Sequence, residues 1–128
     1  MKTLTDSLVP LKGHNAFKAG IEKGFKVRTR NFIGFYIIGN DLTKSTFGIS
    51  VPKRNAKKAV VRNRTKRLVR ESLIHLVQND RDKVLTFENF IIIRIEKLPP
   101  HPKLIRLSDI EPEIIKLFDR ALEAVNKR

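Results

Sequence analysis

The chain has 128 residues, 41% of them hydrophobic, which suits one core and a single domain spanning residues 1–128. It carries 27 Lys/Arg against 13 Asp/Glu, a formal net charge of +14, and no cysteine, so disulfides, thiolate nucleophiles and Cys-ligated zinc are excluded. No apolar run approaches the ~20 residues of a membrane-spanning helix. Residues 1–9 hold no apolar core of signal-peptide length, so a cytoplasmic location with no membrane partner is expected.

In chain order, residues 1–13, with Pro10 and Gly13, read as an irregular arm, flexible over 1–10. His14 to Lys23 is a short helix with Phe17 and Ile21 on a weakly apolar face and Gly24 as its stop. Phe25 to Thr29 and Phe32 to Ile38 have strand composition, and Gly39-Asn40-Asp41 reads as a turn. Phe47 to Val51 is a third strand, ended by Pro52. From about Lys58 to Gln78 a long helix is predicted, with Val61, Thr65, Leu68, Val69, Ser72 and Leu76 on one face. Asn79 to Asp82 is a polar turn, and Asn89 to Ile95 a buried central strand. Leu98-Pro99-Pro100-His101-Pro102 is a stiff connector. A last helix starts at Ser108 or Asp109, with Asp109 as N-cap and Pro112 in its first turns, and runs to the end. The order α-β-β-β-α-β-α describes an α+β two-layer sandwich, a sheet with helices on one side.

The charge is concentrated in one place. Residues 23–70 hold fourteen Lys/Arg and one acid, while residues 71–128 hold ten of each sign. From Lys53 to Arg70 there are nine Lys/Arg and no acid. On the predicted helix Arg62, Lys66 and Arg70 form one stripe, Asn63 and Arg67 the next, with Arg64 further round. A merely solvated face mixes signs to gain i,i+4 pairs, whereas like charges stacked at that spacing cost a few tenths of a kcal/mol each. A polyanion opposite the helix removes that cost, so nucleic acid is the expected partner.

Candidate catalytic groups are sparse. His14, His75 and His101 share no ligand spacing, and Asp80/Asp82 and Glu111/Glu113 are i,i+2 pairs that do not face each other on a helix. No phosphate-binding glycine loop or nucleophile elbow occurs. Neither a catalytic residue nor a metal site is expected in the chain. A basic helix suits a DNA major groove as well as RNA phosphates. Phe17, Phe25, Phe32, Phe35 and Tyr36 precede the basic segment, and any that leave the core offer a stacking surface for single strands.

The run Ala59-Val60-Val61-Arg62-Asn63-Arg64-Thr65-Lys66-Arg67-Leu68-Val69-Arg70-Glu71-Ser72 resembles the "RNR" helix of the protein subunit of bacterial ribonuclease P. The preceding Gly48 to Asn55, the helix with Phe17, the strand with Phe32 and Tyr36, and Asn89 to Ile93 also fit, so the resemblance covers roughly residues 11–125. Pro52, Thr65, Val60-Val61 and a longer Pro-rich connector depart from the family pattern.

The resemblance implies a ribosomal protein S5 domain 2-like sandwich with a left-handed β-α-β crossover, against the usual hand. It implies a ribonuclease P holoenzyme, an endoribonuclease in which the RNA subunit is the catalyst and requires Mg²⁺, with no cofactor bound by the protein. The partners implied are that catalytic RNA, with one protein per RNA, and precursor tRNA, whose 5′ leader is removed. Carried over by position, Lys53, Arg54, Lys57, Lys58, Arg62, Asn63, Arg64, Lys66, Arg67 and Arg70 bind RNA, and Phe17, Ile21, Phe32 and Tyr36 line a leader cleft. The alternative is a non-enzymatic, ribosomal-type RNA-binding protein. A DNA-binding regulator and an autonomous nuclease fit less well.

Overall fold

The structure, a computed structural model, describes residues 7–39 and 43–127. Its elements are β1 (Leu8–Pro10), α1 (His14–Lys23), β2 (Phe25–Arg28), β3 (Phe32–Ile38), β4 (Ser45–Ser50), α2 (Ala59–Asn79), α3 (Arg81–Leu85), β5 (Phe87–Arg94) and α4 (Leu107–Asn126). Short 3-10 turns at Lys53–Asn55 and Pro102–Leu104 precede α2 and α4. The five strands form one sheet in the order β1-β4-β5-β3-β2. β4 runs parallel to both β1 and β5, while β3 is antiparallel to β5 and to β2. α2 and α3 therefore make the long connection that a parallel β4–β5 pair requires.

The predicted α-β-β-β-α-β-α order is present with two additions. Leu8 to Pro10, assigned to the flexible arm on sequence, instead pair in parallel with Ser45 to Phe47. Three residues ending in proline are too few to show a strand period. The expected polar turn at Asn79–Asp82 instead opens α3, where the Asp80 carboxylate accepts the Lys83 N–H at 3.4 Å. β4 and β5 each begin two residues earlier than expected. α4 starts at Leu107, so Asp109 is not the N-cap: it lies in the first turn, where its carboxylate accepts the Arg106 N–H at 3.2 Å. The predicted Gly39-Asn40-Asp41 turn lies outside the described residues apart from Gly39.

Strand alternation sorts the sheet into two faces. Phe32, Gly34, Tyr36, Phe47, Phe90 and Ile92 point to the layer made by α2 and α4, where the main core sits. α4 buries Ile110, Ile114, Leu117, Phe118 and Ala121 there, and the Phe118 ring stacks on Phe90 with centroids 4.1 Å apart. α1 packs on the opposite face, so only α2 and α4 match the expected one-sided arrangement. Gly20 of α1 comes so close to β5 that a Cβ there would lie 2.4 Å from Ile91 Cδ1 and 2.9 Å from Asn89 Nδ2. Gly13 starts α1 with φ 93°, a conformation that favours glycine.

α4 is tied to the β2–β3 turn by one carboxylate. Glu113 accepts hydrogen bonds from Thr29 Oγ1 at 2.9 Å, Asn31 N at 2.8 Å and Asn31 Nδ2 at 2.6 Å. Burial pushes the Glu113 carboxyl up, but these donors and the charge of Arg94 outweigh it and hold the group below its ordinary value of 4.5. A folded-state value below the unfolded one gives stability that is complete above the ordinary value and is lost as pH falls through the lowered one. Glu113→Gln is expected to cost about 1–3 kcal/mol at neutral pH. It should also make the loss of stability as pH falls below the ordinary carboxyl value shallower. Denaturant unfolding of both proteins across that range checks this, and parallel pH curves would remove Glu113 from the acid transition.

Candidate nucleic-acid interface

The basic segment starts where β4 leaves the sheet. Pro52 is extended, and the chain then tightens into a 3-10 turn, with Asn55 N–H donating to Pro52 O at 3.0 Å and Ala56 N–H to Lys53 O at 3.2 Å. Lys53 and Arg54 are exposed on this turn, whereas Asn55 is buried. Asn55 joins three segments: its Nδ2 donates to Arg94 O at 2.8 Å, and its carbonyl accepts the Leu98 N–H at 2.8 Å. The turn is thereby fixed to the end of β5 and to the Pro-rich connector. Lys57 and Lys58 follow, both exposed, and α2 begins at Ala59 with no side chain capping it.

α2 buries Val61, Thr65, Leu68, Val69, Ser72, Leu73, Leu76 and Val77, a face that contains every residue of the predicted apolar stripe. Its two buried hydroxyls are satisfied within the helix, Thr65 Oγ1 donating to Val61 O at 2.9 Å and Ser72 Oγ to Leu68 O at 2.8 Å. The basic residues lie on the remaining surface, in two kinds of setting. Asn63, Arg67 and Arg70 are exposed, and Lys66 is half-buried. Arg62 and Arg64 have backbone partners that the helical wheel did not foresee. Arg62 Nη1 donates to Ala56 O and Lys57 O, each at 2.8 Å. Arg64 donates to Ile105 O through Nε at 3.3 Å and Nη2 at 3.1 Å. These two arginines hold the flanking loops as well as contributing charge.

None of the nine cations from Lys53 to Arg70 pairs with a carboxylate among the described residues. The Lys and His contacts to carboxylates gather instead at the far end of α2. His75 Nδ1 lies 2.6 Å from Glu111 Oε1, and Lys83 Nζ lies 2.6 Å from Asp119 Oδ1 and 3.8 Å from Asp80 Oδ2. The Lys83 ammonium is raised above its ordinary value, chiefly by the hydrogen bond to Asp119. Arg64, Arg67 and Arg70 border an open concavity of about 450 Å³ with Glu71 and Ile74. One end of the molecule is thus internally neutralised, while the other presents fixed positive charge. Among the described residues no three His, Asp or Glu side chains are grouped as a metal site would need.

The expected cleft residues divide between the two sheet faces. Phe17 lies on the α1 face, its ring filling the space over Gly48. Ile21, one helical turn on, is half-buried. Phe32 and Tyr36 are each 1% exposed and belong to the opposite face. The Arg94 guanidinium sits 5.1 Å from the Phe32 ring centre, and Tyr36 packs against Phe87 and Phe90. These two residues do not line a cleft beside α1. The strand turns Ile33, Phe35 and Ile37 toward α1 instead, all half-buried. Cross-strand pairing sets Gly48, Ile91, Phe35 and Lys26 in one row, and Ser50, Ile93, Ile33 and Arg28 in the next. The second row lies at the end of the sheet from which β4 leads to Lys53 and Arg54. An apolar floor with cations at both ends suits an extended polyanion bearing flat bases.

The family described as Ribonuclease P matches residues 7–121. A ribonuclease P protein component of Bacillus cereus (strain B4264) is 31% identical over 83 residues, spanning 65% of this chain and 68% of that protein. Among solved structures, the RNase P protein of Staphylococcus aureus superposes with a TM-score of 0.67 at 23% identity, covering 88% of this chain and 94% of that one. The Thermotoga maritima RNase P protein gives 0.68 at 21% identity, covering 87% and 96%. At such identities the two structures show a shared fold. The family match, spanning the whole described sheet and all of α2, shows that this chain belongs to the bacterial ribonuclease P protein family.

Proposed function

We propose that this chain is the protein subunit of a ribonuclease P holoenzyme, binding the catalytic RNA through α2 and the 5′ leader of precursor tRNA on the α1 face. The observation that carries this reading is the set of nine cations from Lys53 to Arg70, fixed by the fold and paired with no described carboxylate. In this reading the RNA subunit performs the endonucleolytic cleavage and holds the Mg²⁺ it requires, one protein serves each RNA, and the complex is cytoplasmic. The protein lowers phosphate repulsion between the two RNAs and adds affinity for the leader. Lys53 and Arg54 stand between the two surfaces, so one turn borders both RNAs.

Mixing the chain with a bacterial ribonuclease P RNA and precursor tRNA at low Mg²⁺ tests this directly. Cleavage at the mature 5′ end should be strongly stimulated by the protein. Binding without stimulation would favour the structural, ribosomal-type alternative. Arg67→Ala removes an exposed cation that holds no loop. It is expected to weaken binding of the catalytic RNA across salt concentrations and to reduce the salt slope by about one phosphate contact. Binding titrations at several salt concentrations would show it, and an unchanged affinity would remove α2 from the RNA surface. Phe17→Ala removes an aromatic of the kind worth about 1–3 kcal/mol per stacked base. Leader-bearing precursor should lose that affinity while mature tRNA does not. Equal losses for both would take Phe17 out of the cleft.

A further inference from the structure

The Pro-rich connector has so far served only as the partner that Asn55 holds. It also forms one wall of a groove. Across from the basic turn, Lys97, Leu98, Pro99 and Pro100 enclose with Arg54, Lys57 and Lys58 a cavity of about 290 Å³. Its floor is apolar: Ala56 and Val61 are buried beneath it, and Leu98 and Pro99 are half-buried at its side. Its rim carries four cations and no carboxylate.

The walls are built to stay apart. Asn55 fixes the connector through Leu98 N–H and the end of β5 through Arg94 O. Arg62 holds the carbonyls of Ala56 and Lys57, which sets the opposite wall. Consecutive prolines restrict φ, so the far wall keeps its shape without a ligand. The uncapped start of α2 lies on the same side, and its dipole adds to the positive potential.

A cationic rim alone would accept any phosphate. An apolar floor beneath it asks for more: a ligand with a flat, weakly hydrated body attached to an anion. A nucleotide has that form. A paired base does not reach such a floor, because its faces are stacked and its edge is engaged. We propose that this groove receives a single unpaired nucleotide of the catalytic RNA, its base against Leu98, Pro99 and Pro100 and its phosphates between Lys97 and the Lys57–Lys58 wall. The proposal rests on the RNA-binding reading above and extends it to the connector.

Because the chain has no cysteine, Pro100→Cys gives a single attachment point for a photoreactive benzophenone. Crosslinking to a bacterial ribonuclease P RNA should map to one or two adjacent nucleotides outside its helices. A complex that forms without crosslinking, or crosslinks only to paired positions, would overturn the proposal. Lys97→Ala provides an independent measurement on an exposed side chain. Affinity should fall about three- to tenfold, with a salt slope lower by roughly 0.7, the value for one single-strand phosphate. Loss of affinity in Arg67→Ala but not in Lys97→Ala would overturn the groove and leave the RNA-binding reading intact. No loss in either would overturn both.

Discussion

Charge repulsion along α2 is the constraint that the rest of the structure answers. Arg62, Lys66 and Arg70 repeat at i,i+4 with no carboxylate between them, at a cost of a few tenths of a kcal/mol per pair. The opposite face of the helix buries six aliphatic side chains, each worth roughly 1.5–3 kcal/mol. Burial therefore exceeds repulsion by a wide margin, and the helix survives without an anionic partner. The loops are more exposed to the same repulsion, and there the chain uses its own arginines. Arg62 and Arg64 take backbone carbonyls of the segments on either side, placing part of the positive charge where it holds the scaffold together.

α2 was legible because two signals coincide in it. The apolar residues recur at helical spacing, and the charge between them has one sign. β3 was half legible. Phe32 to Ile38 reads as a strand at once, but apolar residues occupy both its faces, so alternation does not say which is the core. What decides it is packing: the small Gly34 lies against the Phe90 ring, drawing Phe32 and Tyr36 inward and leaving Phe35 for α1. Only the partner strands reveal this. β1 and α3 were missed because three and five residues are too short for a period. Asp109 was read as the N-cap but stands three residues further in, at N3, since reciprocal bonding from inside the helix looks the same in sequence as a cap.

The sheet has two tasks, one on each face. The α2–α4 face supplies the core, with Phe87, Phe90 and Phe118 in mutual ring contact. The α1 face is narrower in cover: a ten-residue helix meets β3 and β5 and leaves the Ser50–Ile93–Ile33–Arg28 row beyond the contacts of Gly20 and Phe17. Since β4 runs directly into the basic turn, the open row and the basic helix are joined by a few residues of chain, and Asn55 makes that joint rigid.

The two described margins of the sheet are short and blunted. A long free strand edge invites a second molecule to add its own strand. Here one margin is β1, three residues ending in a proline that has no N–H to offer. The other is β2, four residues carrying Lys26 and Arg28, where the Arg120 guanidinium already occupies the Arg28 carbonyl. Among the described residues neither margin offers a long free edge. Margins this short and charged leave a second copy little described edge on which to add a strand.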